Sequence, residues 1–141
     1  MRRLAVLLAV VIAGAVWWTR GDSAVARGRV LYDTHCAACH GDRLQGQPDW
    51  QSPGPDGHYP APPHDASGHT WHHSDAELQA YIALGGAAAL ARDGVRFDSG
   101  MPGFGEVLSA DQIDDILAYI KSHWPARERR FQAERSGRTG G

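Results

Sequence analysis

Cys36-Ala37-Ala38-Cys39-His40 is the stretch of this 141-residue chain whose residue types and spacing most directly imply a reaction. Two thiols three positions apart can add to the two vinyl groups of haem b as thioethers, and the adjoining imidazole then lies under the iron as its proximal ligand. These are the only two cysteines. A thioredoxin-type CxxC would need a βαβ setting, and a zinc site would need a second ligand pair. A disulfide over so short a span would constrain little of the unfolded chain.

Met101, in Met101-Pro102-Gly103-Phe104, is the one methionine beyond Met1 and follows His40 by 61 residues. A thioether opposite an imidazole raises the reduction potential and leaves no open position on iron, which suits electron transfer better than catalysis. The plainer reading, Met101 as core filler, fits poorly with a loop bounded by Gly and Pro. Five more histidines, His58, His64, His69, His72 and His73, crowd into sixteen residues. They admit three readings: a second metal site at His69, His72 and His73; hydrogen bonding to a haem propionate from His69, Trp71 or Tyr59; or an ordinary polar loop ahead of a helix. Arg92 and Arg96 could neutralise a propionate or lie at an exposed helix end. No catalytic triad, paired carboxylates or phosphate loop stands out, so catalytic residues are expected to be none.

The elements that must position these groups are helical. Residues 27–37 carry Val30, Leu31 and Thr34 near helical spacing, with Gly28 and Tyr32 four apart. Ser74-Asp75-Ala76-Glu77 and Ser109-Ala110-Asp111-Gln112 are capping boxes that each open a helix. The first helix carries Leu78, Tyr81 and Ile82 on one face and stops at Gly85-Gly86; the second carries Ile113, Ile116, Leu117 and Ile120 and is closed by Pro125. Gly41 to Gly68 reads as a long Pro- and Gly-rich loop, of a length that is usually functional. No strand pattern competes. The fold class is all-α with long loops.

Around this domain the chain divides into parts. Met1-Arg2-Arg3 followed by the uncharged Leu4 to Trp18 predicts a signal peptide or an N-terminal membrane anchor over 1–20, with 21–26 as a polar linker. Trp17-Trp18 suits an interfacial belt, whereas Ala24-Val25-Ala26 is an Ala-x-Ala cleavage site beyond the apolar run. Either way the remainder is exported, so its expected location is periplasmic, with a possible tether to the inner membrane through residues 4–18. The domain is expected over 27–125, and 126–141 as a basic, partly disordered tail. Residues 27–124 hold 6 basic and 13 acidic side chains, whereas 125–141 hold 5 Arg and 2 Glu. The overall charge of −2 excludes a strongly basic nucleic-acid binder.

With Gly28, Tyr32, Cys36-Ala-Ala-Cys39-His40-Gly41, Met101-Pro102-Gly103-Phe104 and Leu108-Ser109-Ala110-Asp111-Gln112-Ile113 through Ala118-Tyr119-Ile120 in place, the chain from about Ala26 to Pro125 resembles the class I monohaem cytochromes c. The resemblance implies three or four helices around one covalent haem c. It implies that first and last helices cross through Gly28 and Tyr32 against Ile116 and Tyr119. It also implies a proline whose carbonyl accepts a bond from the His40 ring, and Pro62 or Pro63 fits that role. The stretch from Gly41 to Pro62 is longer than the common pattern, with Trp50 and Ser52-Pro53-Gly54-Pro55 inserted. The expected function is a monomeric periplasmic electron carrier, not an enzyme, with His40 and Met101 on iron and redox proteins as partners. The alternatives are a haem with an open or labile position that binds a small gas or peroxide, and a metal-binding module built on the histidine loop.

Overall fold

The computed structural model describes residues 21–139. The expected leader, residues 1–20, lies outside the described residues. Helix α1 covers residues 21–35, and after a turn at Cys36 the short α2 covers Ala37–His40. A loop then runs to a 3-10 turn at Thr70–His72. It is followed by α3 (Asp75–Leu84), α4 (Gly86–Arg92), α5 (Ala110–Ser122) and α6 (Ala126–Thr139). Among the described residues no strand forms, and no helix is long and apolar enough to cross a membrane.

Both capping boxes form. Ser74 N–H donates to Glu77 Oε2 at 2.7 Å while Ser74 Oγ accepts from Glu77 N–H, and Ser109 with Gln112 repeats the arrangement at the start of α5. Each satisfies donors that a helix start otherwise leaves unpaired. The apolar face of α5 buries Ile113, Ile116, Leu117 and Ile120 in a core with Tyr32, Leu44, Leu78, Ile82, Leu108, Tyr119 and Trp124. Helices α1 and α5 meet at Gly28. A Cβ there would lie 1.8 Å from the Asp115 carbonyl oxygen and 3.0 Å from Tyr119 Cβ, so only glycine permits the approach. One turn on, the Tyr32 and Tyr119 rings pack with centroids 5.3 Å apart. Arg27 closes the crossing with two bonds to the Asp115 carboxylate, at 2.6 and 2.7 Å.

Four features differ from the sequence expectation. The stretch 21–26 is helix rather than linker. Nothing in Asp22-Ser23-Ala24-Val25-Ala26 breaks a helix, Val25 packs on the core, and Arg27 donates to Ser23 Oγ one turn back. Second, Gly85 stops α3 in a positive-φ conformation (84°), but the Ala-rich Gly86–Arg92 resumes as α4. Third, α5 ends at Ser122, and Pro125 sits at the opening of α6, with its carbonyl accepting from Arg129 N–H at 3.1 Å. Proline needs no helical donor bond at such a start.

Fourth, the basic tail is helical over Ala126–Thr139. Helix α6 docks on the 3-10 turn and α3 through a polar hub, not an apolar stripe. Gln132 is 3% exposed, and its amide donates to Asp75 Oδ1 (2.5 Å), to Ser136 Oγ (3.0 Å) and to the His73 carbonyl (3.3 Å). Lys121 pairs with the same Asp75 carboxylate, and Arg135 lies 3.7 Å from Glu77. Arg129 donates to the Trp124 carbonyl, tying the helix to the end of α5.

Candidate haem-binding site

Cys36, Cys39 and His40 share one helical turn. Cys36 N–H donates to the Tyr32 carbonyl at 2.8 Å, continuing α1, and the Cys36 carbonyl accepts from both Cys39 (3.1 Å) and His40 (2.9 Å). Both cysteines are free thiols, and Cys39 is exposed. Burial, with a smaller contribution from Cys39, pushes the Cys36 thiol up to about 11. The pocket therefore disfavours a thiolate, the form needed for metal ligation or nucleophilic attack, and suits a neutral thioether.

His40 is buried, and its Nδ1 lies 2.9 Å from the Pro62 carbonyl oxygen. A carbonyl only accepts, so Nδ1 carries the proton and Nε2 keeps its lone pair for a metal. Burial lowers the pKa of the ring, and the Pro62 bond partly offsets that shift. The two prolines thus have separate roles: the Pro63 carbonyl instead accepts from Thr70 Oγ1 at 3.3 Å.

Loop geometry decides between them. Gly41, Leu44 and Gly46 have φ values of 81°, 63° and 66°, which fold the chain back beneath His40. Residues 44–47 then pair with 61–64. Gln47 N–H donates to the Ala61 carbonyl (2.9 Å), Ala61 N–H donates to Gln47 Oε1 (2.7 Å), and His64 N–H donates to the Leu44 carbonyl (2.8 Å). A Cβ on Gly46 would lie 2.5 Å from Pro63 N and 2.7 Å from the Pro62 carbonyl carbon, so its absence brings the two segments together. The inserted residues between them form turns of their own, and Trp50 stacks back on His69 at 5.4 Å.

Met101 lies on a strap laid across the end of α3. Phe104 N–H and Gly105 N–H donate to the Ile82 and Ala83 carbonyls (2.8 and 2.9 Å), and the Met101 carbonyl accepts from Gly86 N–H (3.1 Å). These bonds satisfy carbonyls that the helix end leaves free. The approach depends on glycines: a Cβ on Gly103 would be 2.7 Å from Leu84 backbone, and one on Gly85 would be 2.7 Å from Gly103 N. The Met101 side chain is partly buried against the same core that Cys36, Ala37, Trp71 and Phe104 border.

The remaining candidates are dispersed. Trp71 Nε1 donates to the Gly68 carbonyl at 3.1 Å, within the loop. Tyr59 is exposed and packs on Phe97, and Arg92 and Arg96 are exposed. His58 lies 3.8 Å from Asp98, His72 faces Trp71 and Phe131, and His73 faces Glu77 and Tyr81. Adjacent histidines point apart, and among the described residues no group of three or more His, Cys, Asp or Glu is placed to hold a metal ion. His69, His72 and His73 thus form no such ligand group.

His64 is the exception, and sequence reasoning missed its role. It leaves the cluster and stacks on His40, with ring centroids 3.8 Å apart and planes 18° from parallel. Burial, and then the neighbouring His40 and His69, holds it well below the ordinary histidine value, so it is neutral.

A family model described as Cytochrome c matches residues 25–124. The chain belongs to the cytochrome c family. Comparison with curated proteins and with solved structures finds no match. The all-helical cytochrome c fold carries haem and transfers electrons, and the family implies that the haem is covalent. The residues present fit that group: paired thiols on one turn, burial that favours the neutral form of Cys36, and an imidazole whose Nδ1 bond leaves Nε2 as the lone-pair nitrogen. In this cytochrome, α6 begins beyond the family match.

Proposed function

We propose that this cytochrome is an exported, single-haem electron carrier with His40 and Met101 as the two axial ligands. The observation that carries the reading is the bond from His40 Nδ1 to the Pro62 carbonyl, which fixes the tautomer and makes the ring a stronger donor through Nε2. When bound, the haem supplies a ferrous–ferric couple that takes up and releases one electron at a time. The protein's part is to hold both ligands still. Cys36 and Cys39 anchor one side, the 44–47 and 61–64 pairing holds the Pro62 carbonyl, and the strap bonded to α3 and α4 presents Met101. The acidic domain favours partner proteins with a basic rim, with association that weakens as salt rises.

Export is supported by the basic start and uncharged run of the leader. Retention as a periplasmic anchor is supported by the position of Ala24-Val25-Ala26 inside α1, because cleavage there would remove Val25 from the core.

The test is an optical spectrum of the oxidised protein, alone and as Met101→Ala. The wild type is expected to show the Met-to-iron charge-transfer band and to bind carbon monoxide slowly when reduced; the variant loses the band and binds it rapidly. A wild type that already lacks the band and binds carbon monoxide rapidly is a gas- or peroxide-binding haem protein instead.

A further inference from the structure

His64 has no part in the electron-carrier reading, yet it is one of the most firmly held residues at the site. Its Nδ1 lies 3.3 Å from the Tyr32 hydroxyl, and its carbonyl accepts from Trp124 Nε1 at 2.8 Å. Its N–H donates to the Leu44 carbonyl. Tyr32, Leu44 and Trp124 are at most 1% exposed, so His64 is tied to α1, to the turn beneath His40 and to the end of α5. An aliphatic side chain would fill the same space without the flat face it sets against His40.

That face addresses a freedom that Pro62 leaves. One hydrogen bond at Nδ1 restrains the His40 ring at a single edge atom, and the ring can still rock about its Cβ–Cγ bond. A second ring nearly parallel at 3.8 Å opposes the rocking. It also presents π density to a ligand ring that becomes more positive when its iron is oxidised, an attraction of the cation–π kind. We infer that His64 is a positioning residue for the iron ligand, holding the plane of the His40 ring and favouring the ferric state. The inference rests on His40 as an axial ligand.

The test compares haem-loaded wild type, His64→Leu and His64→Phe by redox titration and by ferric electron paramagnetic resonance, which reads the orientation of an axial imidazole. Leucine removes the ring face, whereas phenylalanine keeps it without the ring nitrogens. His64→Leu is expected to favour the ferrous form by about tenfold, a rise of about 59 mV for one electron. His64→Phe stays within about threefold of wild type. No shift in either variant, or an equal shift in both, overturns the inference. If His64→Leu does not load with haem, Tyr32→Phe releases the His64 ring instead. It is expected to raise the potential and broaden the ferric signal; no change in either overturns the inference. A wild type with no covalent haem defeats this inference and the electron-carrier reading together. A loaded wild type with unmoved variants defeats this one alone.

Discussion

Gln132 on α6 places its amide 2.5 Å from Asp75 Oδ1 at the first turn of α3, fifty-seven residues away. The same carboxylate receives Lys121 from α5, so one acidic group joins three helices. Gln132→Ala takes one donor from the half-exposed Asp75 carboxylate, which keeps Lys121, and one from the His73 carbonyl, at a cost of about 1–3 kcal/mol. A lower denaturation midpoint with an unchanged haem spectrum is expected, because α6 lies outside the haem site. An unchanged midpoint would show that Gln132 adds nothing to stability.

Acid should loosen this region in two stages. Burial holds His69 and His73 below the ordinary histidine value, so unfolded chains take up protons that the folded protein refuses. Stability therefore declines as the pH falls below about 6.5. At Asp75 and Glu77 burial acts upward, but hydrogen bonds outweigh it, from Lys121 and Gln132 at the first and from Ser74 at the second. Both carboxyls end below their ordinary value. Their contribution is intact above about pH 4 and is lost as the pH falls through the lowered values. The stability gap between wild type and Asp75→Asn should be widest near neutrality and close as the pH falls through the lowered Asp75 value. Helical circular dichroism against denaturant at several pH values measures it.

The crossing of α1 and α5 tolerates no side chain at Gly28. Gly28→Ala forces its methyl toward the Asp115 carbonyl and must push the helices apart, destabilising the holoprotein by about 1–3 kcal/mol or preventing folding. Exposed Gly137, whose Cβ would meet nothing and whose φ is ordinary for any residue, is the control for a glycine change away from any packing.

Gly46→Ala tests the Pro62 carbonyl without touching the ligand. The new methyl would press on Pro62 and Pro63 and also strain a backbone at φ 66°. Moving the carbonyl off His40 Nδ1 makes the ring a weaker donor, so the ferric state loses support and the reduction potential rises. A potential equal to wild type, with haem fully loaded, would count against the role of this bond.

Mass spectrometry of the protein purified from an exporting host should find Val25 and the residues before it retained. A mature chain beginning at Arg27 would instead show that α1 functions without its first turns.

Local rules made much of this protein legible from sequence. The haem-attachment motif is contiguous, and each capping box is complete within four residues, so Ser74 and Ser109 mark their helices without tertiary information. The α5 face reads from spacing alone. Helix α6 does not: its one large apolar side chain, Phe131, is 41% exposed, and its hold comes from Gln132 and charged pairs whose partners lie far along the chain.

At the haem site the division is the same. Two thiols and one imidazole in a contiguous motif, and one thioether further on, are candidates that can be read off the chain in order. Which carbonyl meets His40, and which ring lies against it, follows from the three-dimensional fold. Those choices depend on positive-φ turns at Gly41, Leu44 and Gly46 and on the pairing of 44–47 with 61–64. Pro62 and Pro63 are neighbours of the same type, and His64 is one of several nearby histidines. A difference of one residue in register changes what each touches, and that register is set by contacts distant in sequence.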